Sequence, residues 1–94
     1  RRRATGIRKL MWVKIHPNPA NSETELTFFL AKDSWVKIVL FNVMGEEIMT
    51  WQPGIQNGGE HRLIYNTANL PSGYYLINVI TDNQTKAEKM LVVH

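Results

Sequence analysis

The chain has 94 residues, 44% of them apolar, with eleven Lys and Arg against eight Asp and Glu and a formal net charge of +3. A chain of this length buries roughly 60–65% of its extended surface, enough for one core but leaving little room for a deep catalytic cleft beside it. Cysteine is absent, which excludes disulfide and thiolate–metal frameworks, and no run approaches the ~20 apolar residues that a membrane-crossing helix needs.

The charge is unevenly divided. Residues 1–14 hold six basic side chains and no acid, whereas residues 15–94 hold five basic and eight acidic ones, a balance of −3. The pI near 9.5 therefore belongs to the amino-terminal segment and not to a basic folded face interleaved with aromatics, so nucleic acid is not an expected partner. Arg1-Arg2-Arg3 is not followed by an apolar segment of adequate length; if the domain leaves the cytoplasm, something upstream must carry the export signal. Residues 1–12 read as a basic linker and residues 13–94 as one domain.

The first strand signal is Leu10 to Ile15, ended by His16-Pro17 because proline brings no N–H to a ladder. Pro17-Asn18-Pro19 fixes two φ angles and pushes His16 and Asn18 towards extended conformations, making a rigid elbow. Glu25 to Leu30 alternates with Leu26, Phe28 and Leu30 on one face, and after a turn at Asp33-Ser34 the run Trp35 to Phe41 places Val36, Ile38 and Leu40 together. Asn42 to Gly45 is predicted to be a hairpin loop whose glycine takes the positive φ that closes it. Glu47 to Trp51 returns, a loop bracketed by Pro53-Gly54 and Asn57-Gly58-Gly59 follows, and His61 to Tyr65 is the next strand.

Asn66 to Gly73 is a compact connector, read as a single 3₁₀ turn with Leu70 plugging the core. Gly73 launches the strongest strand, Tyr74 to Thr81, with Tyr75, Ile77 and Val79 on one face; Asp82-Asn83-Gln84 then turns into the last strand, Thr85 to Val93. Gly45 and Gly73 are expected where a side chain would clash, and Tyr75 as a core aromatic whose hydroxyl reaches a backbone partner, in the manner of a tyrosine corner. Seven strands at intervals of about ten to twelve residues, with no helix between them, predict an all-β, antiparallel immunoglobulin-like sandwich.

Residues that could carry chemistry are few. His16, His61 and His94 lack ligand-like spacing. No nucleophile elbow, P-loop or paired-carboxylate arrangement is present, so neither catalysis nor a cofactor or metal is expected.

Four signals in order resemble the C-terminal sorting domain of type IX (Por) secretion cargo in Bacteroidetes-like bacteria. They are Val13 to Ile15 leading into Pro17-Asn18-Pro19, Ile38 to Gly45, Leu70 to Val79 with Gly73-Tyr74-Tyr75, and Lys89 followed by Met90, Leu91, Val92 and Val93. The chain departs from the pattern in its Arg-rich start and in Glu46-Glu47, where many members carry a basic residue. The resemblance implies a non-catalytic signal domain at the C-terminus of a larger exported protein. Its partners would be the outer-membrane translocon with its shuttle components, and a cell-surface sortase-like peptidase cutting upstream of the sandwich. The implied location is the periplasm in transit, then the outer membrane, the cell surface or the medium.

On that reading the terminal strand is the recognition handle, since an edge presents unpaired backbone groups; Lys89 to Val93 would take a receptor by β-augmentation, and the same edge would allow a homodimer. The alternative is a fibronectin-like carbohydrate-binding or adhesion module using Trp35, Trp51 or the tyrosines. That module would bind glycans and tolerate an extension after His94, whereas the sorting reading expects a tag there to abolish function.

Overall fold

The structure, a computed structural model, describes residues 11–82 and 84–94. Seven strands are present: β1 (Trp12–His16), β2 (Glu23–Leu30), β3 (Ser34–Asn42), β4 (Glu47–Gln56), β5 (Gly59–Asn66), β6 (Gly73–Thr81) and β7 (Thr85–Val92). They form two antiparallel sheets, β1-β2-β5 and β4-β3-β6-β7, and no described residue is helical. The expected all-β immunoglobulin-like sandwich is what the chain adopts.

Alternation explains the strands and also places the core. Leu26, Phe28 and Leu30 of β2 face Val36, Ile38 and Leu40 of β3, Tyr75, Ile77 and Val79 of β6, and Met90 and Val92 of β7 in one buried cluster. Each such side chain contributes about 1.5–3 kcal/mol by leaving water, and this must offset the chain entropy without help from a disulfide. Leu70, Val13 and Ile15 pack against the cluster from its margin.

Met11 is buried in the core and Trp12 opens β1, paired with Phe29; Leu10, expected in that strand, lies outside the described residues. Local expectations are corrected at two places. Pro53-Gly54 does not end β4, which runs on to Gln56 through a register shift opposite Val36 and Ile38. β4 is an outer strand of its sheet and Pro53 falls within the register shift, where it has no partner on β3, so it breaks no paired position, and Gly54 with φ +82° takes up the irregularity. The connector is a hydrogen-bonded turn, Leu70 N–H donating to the Thr67 carbonyl at 3.1 Å, and not a 3₁₀ helix.

Two buried tyrosines behave oppositely. Tyr75 donates from its hydroxyl to the Pro71 carbonyl at 2.6 Å and so ties β6 to the connector. The Tyr65 hydroxyl is buried and no described residue partners it; burial raises its pKa above the ordinary value of about 10. Tyr75→Phe is therefore expected to cost about 1–2 kcal/mol, while Tyr65→Phe is neutral or stabilising, as judged by thermal denaturation. The folded state holds Tyr65 neutral, so that contribution is complete below about pH 10 and is lost as pH rises through the folded value. Tyr65→Phe is expected to lessen the alkaline decline in melting temperature; an unchanged profile would reject the assignment.

Candidate functional site

β7 pairs only with β6 and forms one edge of the four-stranded sheet. Its even-numbered inner residues Met90 and Val92 are fully buried, whereas Lys89, Leu91 and Val93 alternate with them. The edge beside these last residues is not free. Asn18 Nδ2 donates to the Lys89 carbonyl at 3.0 Å, and its Oδ1 accepts from the Leu91 N–H at 2.9 Å. Ala20 N–H then donates to the Leu91 carbonyl at 2.7 Å, and Val93 N–H donates to the Ala20 carbonyl at 2.8 Å, a one-residue parallel bridge.

The elbow is thus an edge cap. The chain leaves β1 in one sheet, crosses to the other, and lays an amide side chain and then a peptide unit along β7. Both X–Pro peptide bonds, His16-Pro17 and Asn18-Pro19, are cis. The Pro17 carbonyl accepts from the buried Thr24 hydroxyl at 2.7 Å, anchoring the elbow to β2.

The segment after β7 is held as firmly. His94 N–H donates to Ser72 Oγ at 3.0 Å, while its ring nitrogens lie 3.0 Å from Asn21 Oδ1 and 2.8 Å from the Leu70 carbonyl. Elbow, connector and terminal strand, far apart in the chain, therefore meet at one end of the sandwich. Pro17, Asn18, Pro19, Leu70, Gly73, Tyr75 and Lys89 to Val93 all belong to this assembly. Sequence reasoning assigned no contact to Ala20, Asn21 or His94, because no local signal reports partners so far away along the chain.

Gly45 sits nearby, at the β3–β4 turn, with φ +82°; a Cβ there or at Gly73, with φ +151°, would meet nothing within 4 Å, so the backbone conformation and not the expected clash calls for glycine at both. Asn42 organises that turn: its carbonyl accepts from Gly45 N–H at 3.0 Å and its side-chain oxygen from Met44 and Glu46 N–H at 2.9 and 3.0 Å. An open apolar groove of about 360 Å³ lies between this turn and β6, lined by Phe41, Val43, Gly45, Tyr74, Leu76 and Lys89 among others. Lys89 Nζ stands 5.2 Å from the centre of the Tyr74 ring.

The tryptophans share no platform. Trp12 stacks on Phe29 at 5.9 Å on the three-stranded sheet; Trp35 is paired with Ile55, and Trp51 with the inward-facing Ile38. Alternation along β3 puts these last two on opposite faces. His61 Nε2 lies 2.7 Å from the Asn57 carbonyl, and among the described residues no group of three or more His, Cys, Asp or Glu is placed to hold a metal ion. No described helix is long and apolar enough to cross a membrane.

Comparison with known proteins follows the same outline. No curated protein matches the chain. The crystal structure of dimeric latent PorU from Porphyromonas gingivalis is similar, with a TM-score of 0.75 and 16% identity over 98% of this chain and 10% of that one. At that identity the likeness establishes the fold alone, and the chain spans about a tenth of that protein's length. The model of the secretion system C-terminal sorting domain matches residues 14–93, and with it the elbow, turn, connector and terminal strand described above: the chain belongs to this family, the C-terminal sorting domains of type IX secretion.

Proposed function

We propose that this domain is a non-catalytic address on a larger exported protein. It directs that cargo through the outer-membrane type IX translocon and is then removed at the cell surface by a sortase-like peptidase cutting in or before residues 1–12. The family membership carries the coarser statement, a sorting signal for export towards the outer membrane and cell surface.

The observation that supports the finer reading is the knot around β7: Asn18 and Ala20 hold the terminal strand, and His94 is held by Asn21, Leu70 and Ser72. The pattern's elements converge on presenting one strand. The occupied edge also narrows how a receptor reads it. Main-chain pairing at Lys89 to Val93 requires the elbow to lift away, so a receptor meeting the folded domain reads side chains there. Backbone pairing is then left to the part of β7 nearer Thr85.

Fusing residues 1–94 behind a signal-bearing periplasmic reporter, in a bacterium with a working type IX system, tests this. The reporter is expected at the cell surface or in the medium, shortened by the mass of the domain. A reporter retained in the periplasm would refute sufficiency, and one exported with the domain still attached would refute removal.

A further inference from the structure

The groove between the β3–β4 turn and β6 has a composition that packing does not account for. Register places Phe41 of β3, Leu76 of β6 and Lys89 of β7 in one cross-strand row. Leu26, Ile38, Ile77 and Met90 have no exposed surface, but Leu76 is 39%, Tyr74 52% and Val43 74% exposed. Val43 and Met44 project from a hairpin tip that Asn42 already holds by two backbone–backbone and two side-chain–backbone hydrogen bonds. Two large apolar side chains at an otherwise polar, self-sufficient turn add nothing to its closure, and contiguous exposed apolar surface marks interaction sites.

Lys89 is the one charged residue in the lining. No described carboxylate pairs with it; the ion pair found among the described residues is Arg62–Glu60. Glu46 Oε1 accepts from Asn42 Nδ2 at 2.8 Å within the turn itself, and Glu47, the register partner of Phe41 on β4, accepts from the Thr50 hydroxyl; neither forms an ion pair with Lys89. Lys89 instead stands over the Tyr74 ring at the rim. An apolar floor with an unneutralised cation at its edge complements an apolar side chain next to an anion.

The geometry points to this groove as the side-chain receptor for a segment of a partner protein that presents an aromatic or branched aliphatic residue beside a carboxylate. This rests on the sorting reading and deepens it, by moving recognition from the capped backbone edge of β7 to the outer face of its sheet. Phe41, Val43, Tyr74 and Leu76 take the apolar side chain, and Lys89 takes the carboxylate.

The probe is acetyl-Phe-Asp-amide, titrated to about 10 mM against the whole chain and followed by backbone amide NMR. Shifts are expected at Gly45, Tyr74, Leu76 and Lys89, with affinity about fivefold above that of acetyl-Phe-Asn-amide, the size of one exposed charge pair. Lys89→Gln is expected to abolish that preference without changing the melting temperature. No shift in these residues, or a preference that survives Lys89→Gln, would overturn the assignment. So would self-association that vanishes with Val43→Asp, because the groove would then serve a second copy of the chain.

In the export assay, Val43→Asp and Lys89→Glu are expected to hold the reporter in the periplasm while the domain melts normally. If the unaltered domain exports its reporter and both variants do so equally well, the groove is wrong and the sorting reading stands. If the unaltered domain fails to export, the sorting reading fails and the peptide titration alone decides the groove.

Discussion

Removing Met90 to His94 is expected to unfold the domain and not simply to blind it to its receptor. Met90 and Val92 are fully buried. Losing a buried Met or Val side chain costs on the order of 1–5 kcal/mol each, and the whole domain's stability is about 5–15 kcal/mol. The deletion also strips Gly73, Tyr74 and Tyr75 of their partners on β7 and takes away both bonds to Ala20. A loss of this size lowers the melting temperature by about 4–8 °C per kcal/mol in a domain of this length. Calorimetry of the shortened chain is expected to show no cooperative transition at 37 °C or a midpoint lowered by tens of degrees. A shortened chain that melts like the parent would show that the terminal strand is not part of the core. Cargo trapped by this deletion therefore reports a missing fold, and only substitutions at the outward positions, such as Lys89→Glu, isolate recognition.

Asn18→Ala is expected to loosen the edge of β7 while leaving the core intact. It deletes the bonds to the Lys89 carbonyl and the Leu91 N–H, leaving Ala20 as the remaining backbone bridge at that edge. Two such bonds, both exposed, give an expected loss of about 1–3 kcal/mol. Asn18→Leu, of similar size and without the amide, is expected to match it; a marked difference between the two would assign the effect to volume and not to hydrogen bonding. Amide exchange at Leu91 is expected to quicken more than exchange at Ile77 in the centre of β6. With its cap gone, the edge becomes a template for another chain, so sedimentation is expected to show dimers at lower protein concentration than for the parent. A monomeric, fully protected variant would remove the capping role from the elbow.

Period-two runs such as Leu26-Phe28-Leu30 and Tyr75-Ile77-Val79 were legible without coordinates, because alternation of burial is a property of one strand and its own pleat. The turn at Asn42 to Gly45 was legible for the same reason: its hydrogen bonds close over a few residues. Pro53-Gly54 misled, because a proline's cost in a strand depends on whether its neighbour side is occupied, and β4 has a neighbour on one side. The elbow was recognised as rigid but not as a cap, since its partner lies 73 positions away along the chain.

By itself the sequence determined seven half-buried strands, their turns, the absence of any cysteine scaffold, and an ordered pattern sufficient to mark the family. Tertiary structure alone decided which strand stands at an edge, that the elbow already occupies that edge, and that Phe41, Leu76 and Lys89 share one row. The division has a physical cause. Alternation, turn closure and backbone restriction act over a few residues, so composition and spacing record them. Register and edge occupancy are chosen by the packing of the whole core, and no short window of sequence contains that competition.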